Sequence, residues 1–249
     1  MKNKKILITD LDGTLVRNSI MVELQDQKTL EILQKKMKIG IATGRSIKEI
    51  EYIENQTAID ADIRIGFNGA MIEIEGETIF EEAISDDSLK KILAYIQQKN
   101  LVFDALDGKD RIGTHKSEDT GRLWNVELIE PQNLFEELNK KKIYKINIRP
   151  EKNCDALLEE LKMLFPQLSM CKSGDKRIEI TPCNITKGHA LQLIKEKYGY
   201  SIVSIGDSEN DVSMFECSDE SYCMSHAPQR VKNHADKIVN HFSDLIDLV

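Results

Sequence analysis

The sequence predicts an α/β protein: a Rossmann-like parallel-sheet core with an α+β unit inserted between its two halves. Three observations carry that expectation. Apolar, β-branched runs at 5–9, 38–42 and 201–206 lack polar alternation, as suits strands buried on both faces of a parallel sheet. Each run ends in a polar group and leads toward helical periodicity, the rhythm of a parallel α/β fold. Between the second and third runs, paired short strands alternate with helices, which suits an antiparallel sheet. The expected division is a core from residues 1–82 and 182–249, with residues 83–181 inserted.

The first strand ends in Asp10-Leu11-Asp12-Gly13-Thr14. In open parallel sheets ligands sit beyond the carboxyl ends of strands, so Asp10 emerges where chemistry is expected. Asp12 leans toward the same space if the backbone stays extended. Gly13 permits a sharp turn and Thr14 can bond the turned backbone. Two carboxylates this close repel unless a cation or a shared proton relieves them, a first sign of a metal site.

A short amphipathic helix is expected over 26–37, with Leu30, Leu33 and Met37 on one stripe. The second strand runs into Thr43-Gly44-Arg45, where backbone N–H groups and a helix start suit phosphate oxygens. A helix through Ile47, Ile50 and Ile53 follows, then a strand over 63–67 ending in Asn68-Gly69-Ala70. Residues 71–80 read as a hairpin about Glu75-Gly76-Glu77.

In the insert, a helix is expected over 86–100, and strands at 101–106 and 111–115 flank Asp107-Gly108-Lys109-Asp110. No clear pattern marks 117–128. A helix over 132–141, a strand over 142–149, a helix over 153–165 and a hairpin of 168–172 with 177–181 complete the unit. The parallel style returns with Thr186-Lys187-Gly188 opening a helix, then the strand that ends in Asp207. Ser208-Glu209-Asn210-Asp211 and a helix around Met214 follow. Short strands at 221–224 and 237–239, a helix between them and a short helix at 244–249 close the chain.

Composition narrows the function class. The 249 residues are 41% hydrophobic and 31% charged, enough for a packed core with a solvated surface. No apolar run is long enough for a bilayer, and the start shows no secretory h-region, so no membrane role is expected. Cys154, Cys171, Cys183, Cys217 and Cys223 form no Cys-x-x-Cys pair and read as free thiols of a reducing cytoplasm. A formal net charge of −8 argues against a broad nucleic-acid surface.

If the three strand ends are neighbours, Asp10, Asp12, Thr43, Asp207, Asn210 and Asp211 converge with Lys187 on one crevice. Hard oxygen ligands without His or Cys select Mg²⁺, which commonly shares its shell with a phosphate. Thr43, Lys187 and backbone N–H groups would meet the remaining phosphoryl oxygens. His115, His189, His226, His234 and His241 show no ligand spacing, and only His226 stands in a loop that approaches this crevice. Trp124, Arg111, Arg122, Lys172 and Arg177 of the insert are candidates to touch a substrate, against the plainer reading of surface charge. Lys140-Lys141-Lys142 reads as a solvated helix end.

Asp10-Leu11-Asp12-Gly13-Thr14, Thr43-Gly44-Arg45, Thr186-Lys187-Gly188 and Gly206-Asp207-Ser208-Glu209-Asn210-Asp211 resemble the four ordered motifs of the haloacid dehalogenase-like (HAD) superfamily. The long insert and Asn68-Gly69-Ala70 resemble its Cof-type phosphatases, which carry a type IIB cap. The resemblance implies that Asp10 attacks phosphorus to form an aspartyl-phosphate, and that Asp12 protonates the leaving alcohol and activates water. It implies Mg²⁺ held by the Asp10 side chain, the Asp12 backbone carbonyl and Asp207, with Asp211 at or behind them. It gives phosphate to Leu11 (through its backbone), Thr43, Gly44, Lys187 and Asn210, and makes Thr43 and Lys187 catalytic with the two acids. Dehalogenase relatives lack the second acid, so Asp12 favours a phosphatase or phosphomutase. Two stretches depart from the family's habit: Ser225-His226-Ala227 stands where Gly-Asn-Ala is usual, and 240–244 departs from an Asn-Asp-Gly-Val-like close. The expected activity is a cytoplasmic, Mg²⁺-dependent phosphatase of a small phosphorylated metabolite, with a sugar phosphate the leading type, followed by a flavin or pyridoxal phosphate. A phosphomutase and a non-catalytic phosphometabolite binder are the alternatives, and a monomer or small homo-oligomer is expected.

Overall fold

A computed structural model describes residues 4–17, 20–57, 59–116, 121 and 123–249. The first half of the core is β1 (Lys4–Thr9), α1 (Leu24–Gln34), β2 (Lys38–Ala42), α2 (Ile47–Thr57), β3 (Ile63–Gly66), β4 (Met71–Ile74) and β5 (Glu77–Glu81). The insert follows as α3 (Asp86–Gln98), β6 (Phe103–Leu106), β7 (Arg111–Gly113), β8 (Leu128–Ile129), α4 (Leu134–Leu138), β9 (Lys145–Ile148), α5 (Cys154–Leu164), β10 (Leu168–Lys172) and β11 (Ile178–Pro182). The chain then adds α6 (Lys187–Tyr198), β12 (Tyr200–Gly206), α7 (Val212–Cys217), β13 (Glu220–Met224), α8 (Gln229–Lys232) and β14 (Lys237–Val239).

Two sheets result. The larger has the order β14-β13-β12-β1-β2-β3-β4-β5, parallel from β14 to β3 and antiparallel at the β4–β5 edge. The strands are buried on both sides because helices cover both faces. Leu7, Ile39 and Ile41 pack with Leu30, Leu33, Ile50 and Ile53 on one face. Ile6, Ile8, Ile63 and Ile202 pack with Leu191, Ile194 and Met214 on the other. From β1 the chain winds toward β2 and β3, and from β12 it winds the opposite way toward β13 and β14. β1 and β12 are adjacent and in register from Lys4↔Tyr200 to Thr9↔Ile205. Their carboxyl ends are therefore the topological switch point where a crevice opens.

The second sheet, β10-β11-β9-β6-β7-β8, is antiparallel except at β7–β8. Its apolar face, with Phe103, Ala105, Ile146, Ile148, Ile178 and Ile180, packs on α3 and α5 through Leu89, Ile92, Leu93, Ile96, Leu158 and Leu161. Where the two units meet, Phe67, Ala70, Leu106, Tyr144 and Ile185 form a small buried cluster, with Phe67 and Tyr144 stacked at 5.1 Å.

Several expected elements are shorter than the sequence suggests. The helix expected over 132–141 is helical only at Leu134–Leu138, because Leu134 and Leu138 are the residues it buries. The strand expected over 142–149 pairs only at Lys145–Ile148. The helix expected over 26–37 begins earlier and ends at Gln34, where the chain turns into β2. The close over 244–249 is a 3-10 turn spanning Phe242–Asp247. Lys141 is not simply solvated: it forms an ion pair of 2.5 Å with Asp107 in the turn of the β6–β7 hairpin. Of the candidate cap residues, Arg122 lies outside the described residues.

Candidate functional site

Asp10 follows β1 directly, and its backbone N–H donates to the Ile205 carbonyl, which locks the residue beside the end of β12. Lys187 opens α6 after Thr186, whose side chain accepts from the His189 N–H and caps the helix. That cap aims Lys187 inward, where it is fully buried. Its Nζ donates to Asp10 Oδ1 at 2.6 Å and to Asp211 Oδ1 at 2.7 Å. Asp211 is held in turn: its Oδ2 accepts from the Asp207 and Ser208 N–H groups, each at 2.9 Å. This closes the loop after β12 and presents Asp207 to the crevice. Asp207 Oδ1 accepts from the Thr14 hydroxyl at 3.0 Å.

Carboxylate oxygens of Asp10, Asp207 and Asp211 lie within 4.8 Å of one another. Burial drives the Asp10 carboxyl well above its ordinary range, against the pull of Lys187 and with the push of Asp211 and Asp207. Asp207 is raised too, first by burial, against hydrogen bonds from His226 and Thr14 and with a push from Asp211. Lys187 is raised: burial opposes its charge, but Asp10 and Asp211 outweigh burial. Three acids with one ammonium leave negative charge uncompensated, and their donors are all hard oxygens. That set fits Mg²⁺. Gly13 keeps the site open: its φ is +96°, and a Cβ there would lie 2.3 Å from Asp207 Oδ2.

Asp12 behaves differently from its neighbour. Its carboxylate is gripped by Arg45, Nε to Oδ2 at 2.7 Å and Nη2 to Oδ1 at 3.0 Å. It stands outside the acidic trio, so any share of Asp12 in a metal site falls to its backbone carbonyl, not its side chain. Arg45 also donates to Glu49 at 3.0 Å, and Glu49 accepts from Arg111 of β7 at 3.1 Å. Burial opposes the Glu49 charge, but Arg111 and Arg45 together hold its carboxyl below the ordinary range.

Thr43 and Gly44 sit at the end of β2, the Thr43 N–H donating to Ile65 O and its hydroxyl accepting from the Arg45 N–H. A Cβ on Gly44 would lie 2.4 Å from Lys145 Nζ, which places an ammonium of the second sheet directly against this loop. Asn210 donates to Asn68 Oδ1 at 3.2 Å, and Asn68, at φ 57°, donates to Glu179 Oε2 at 2.6 Å. A non-glycine residue is held in the left-handed region here by bonds from both units. Leu11 carries the turn with its carbonyl, which accepts from the Thr14 and Val16 N–H groups. Of the sequence-predicted residues, Asp10, Asp12, Thr43, Gly44, Asp207 and Asn210 line one cavity of about 490 Å³, while Leu11, Lys187 and Asp211 are fully buried, Lys187 bonded to Asp10 and Asp211 to the Asp207 loop.

Of the insert candidates, Arg111 and Arg177 line that cavity. Lys172 instead pairs with Asp155 at 2.8 Å, and Trp124 is buried beneath Arg45. His226 Nε2 lies 3.6 Å from Asp207 Oδ2, and that contact raises its pKa. Sequence reasoning missed Lys145, Asn147, Arg149, Glu179 and His115, all of which line the cavity. The two-residue spacing of Lys145, Asn147 and Arg149 was the available signal, since it puts them on one face of a strand.

A family model for haloacid dehalogenase-like hydrolases matches residues 7–244. A 5-amino-6-(5-phospho-D-ribitylamino)uracil phosphatase of Bacillus subtilis (strain 168) is 27% identical, over 92% of this chain and 90% of its own. A crystal structure of a Thermotoga maritima protein superposes with a TM-score of 0.80 at 27% identity, over 98% of this chain and 97% of that one. A HAD subclass IIB sugar phosphatase shares the fold, with a TM-score of 0.82 at 21% identity and 98% of each chain covered. Among the described residues, no helix is long and apolar enough to cross a membrane.

Proposed function

The chain belongs to the haloacid dehalogenase-like hydrolases, and from that premise we propose that it is a Mg²⁺-dependent phosphatase of a small phosphorylated metabolite, working through a phosphoryl group on Asp10. The observation that carries this reading is Lys187, which binds Asp10 and Asp211 at once beside Asp207. Three remote stretches of chain meet there around one carboxylate. In this reading Asp10, the Asp12 carbonyl and Asp207 hold the ion, and Asp211 fixes the Asp207 loop. Bound there, Mg²⁺ supplies positive charge to phosphoryl oxygens and relieves the repulsion among the acids.

Lys187 keeps one Asp10 oxygen engaged and leaves the other for attack on phosphorus. Thr43, Gly44, Asn210 and the Leu11 backbone receive the phosphoryl oxygens, with Thr43 offering its hydroxyl proton. Asp12, on the same turn, gives a proton to the leaving alcohol and then takes one from the attacking water. Arg45 sets the direction of its carboxylate. Residues 83–181 are read as a cap over a core of 1–82 and 182–249, its polar sheet face closing the crevice against water. The relative that acts on a phosphorylated ribityl compound and the subclass IIB sugar phosphatase support a sugar phosphate or a close polyol phosphate as substrate. Five free cysteines suit a reducing compartment such as the cytoplasm.

The test is phosphate release from an aryl phosphate, with and without Mg²⁺. Multiple turnovers that need the ion are expected, with Asp10→Asn inactive. Full activity in Asp10→Asn would overturn the reading, and transfer to sugar without phosphate release would replace it with a phosphomutase.

A further inference from the structure

One face of the insert's sheet is apolar and covered by helices; the other is charged and still buried. Asp104, Asn147 and Glu179 form a continuous cross-strand row over β6, β9 and β11, paired Asp104↔Asn147 and Asn147↔Glu179. Lys145 and Arg149 flank Asn147 at two-residue spacing, and Arg177 flanks Glu179. Asp104, Lys145, Asn147 and Glu179 are each at most 3% exposed, a high cost for charge unless the groups serve one another or a ligand.

They do not fully serve one another. Asp104 is shared by Arg149, Arg111 and Asn147. Glu179 is shared by Lys145 at 2.9 Å, Arg177 at 3.1 Å and Asn68. Four cations on the insert therefore divide two carboxylates. From the core, Glu49 reaches Arg111 but is also committed to Arg45, and Glu209 is committed to Arg230. Among the described residues, three buried polar atoms on this face have no hydrogen-bond partner: the donors Arg111 Nε and Arg177 Nε, and the acceptor Asn147 Oδ1. The members of this face respond unequally: against burial, Glu49 and Asp104 hold Arg111 above its ordinary value. Burial lowers Arg149 despite Asp104, and Arg177 and Arg111 add to that effect. Burial also lowers His115, again with a push from Arg149.

We propose that the leaving group of the substrate carries a second anionic group, a carboxylate or another phosphate, on a small hydroxylated skeleton. This proposal rests on the phosphatase reading above. With the reacting phosphate at Thr43 and Gly44, the rest of the molecule faces Lys145, which touches that loop, and beyond it Arg177, Arg149 and Arg111. The anion takes the charge-assisted bonds those groups lack. A hydroxyl satisfies Asn147 Oδ1. A cavity of about 490 Å³ holds a molecule of this size with its water.

Matched pairs test this. Sorbitol 6-phosphate against 6-phosphogluconate isolates the carboxylate, and fructose 6-phosphate against fructose 1,6-bisphosphate isolates the second phosphate. In one pair at least, kcat/KM for the charged member is expected to be about tenfold higher. Arg177→Gln is expected to lower kcat/KM for the charged member about tenfold and so to remove that preference. The wild-type comparison stands even if the variant folds poorly. Calorimetric binding of the same pairs to Asp10→Asn protein separates the two readings. Tighter binding of a charged member without any wild-type turnover would overturn the phosphatase reading, and with it the leaving group, while leaving the anion-binding face in place. Equal binding and equal kcat/KM in both pairs would overturn this one, whatever the turnover of the aryl phosphate.

Discussion

The Arg45 guanidinium lies over the Trp124 indole, 3.4 Å from its central carbon to the ring centroid, while two of its nitrogens hold the Asp12 carboxylate. One arginine thereby ties an aromatic of the insert to the proposed acid–base group of the core. Lysine can neither grip a carboxylate with two nitrogens nor stack as a plane. Arg45→Lys is expected to lower kcat about 10- to 100-fold for alkyl phosphates. Aryl phosphates, whose leaving groups need less protonation, should suffer much less. Steady-state kinetics on both classes check this, and equal losses would refute the link to Asp12.

Removing divalent ions should have two effects. Chelation is expected to abolish turnover, and Mg²⁺ to restore it. Stability should follow, because Asp10 and Asp207 are both raised by burial and by the other acids of the cluster. Ligand at about 100-fold its Kd adds about 2.7 kcal/mol, which for a chain of this size means a rise in Tm of about 5–10 °C by calorimetry. Asp207→Asn should show little of that rise.

Gly13→Ala tests the geometry of the same cluster. The backbone is left-handed and the new Cβ would collide with Asp207 Oδ2. A stability loss of about 1–3 kcal/mol is expected by denaturant titration, with weaker Mg²⁺ binding, because Asp207 must move to admit the methyl group.

Lys145 gives a pH dependence. Burial pushes its ammonium down to about 8 from the ordinary 10.5; Glu179 opposes this, while Arg177 and Arg111 reinforce it. The folded value is the lower one, so the unfolded chain binds this proton more tightly. The group therefore penalises the native state below about pH 8, and the penalty fades as pH rises from about 8 to 10.5. Activity runs the other way, since deprotonation removes a positive charge from the cavity. With an anionic substrate, kcat/KM should fall above pH 8, and Lys145→Arg should move that limb beyond the accessible range. A pH profile identical in both proteins would contradict the assignment.

The core of this arrangement was legible in the sequence for a local reason. Asp10, Thr43 and Asp207 each follow an unbroken apolar strand, and a parallel sheet puts such strand ends on one side. Lys187 follows its capping threonine in the same legible way. The insert's contribution was hidden. Lys145, Asn147 and Arg149 alternate with apolar residues, the pattern of a sheet with one wetted face. Only the core unit, packed over that face, turns it inward, and no short-range pattern records the packing. Trp124 was equally obscure, since its segment shows no periodicity and its burial comes from distant residues of the core, Arg45 and Tyr52 among them. The overlong helix at 132–141 has a simpler cause: its Glu and Lys residues favour helix, but only Leu134 and Leu138 have somewhere to pack.

The pairing of β1 with β12 has a consequence for the birth of the molecule. A nascent chain still short of residue 200 holds β1 with β2 but without its other neighbour. The strands of the insert, all between residues 103 and 182, are complete by then and can settle first. Asp10 meets Asp207 only after residue 207 has left the ribosome, so the proposed reactive centre forms later than the strands of the insert, and synthesis cut off before β12 leaves β1 without that neighbour.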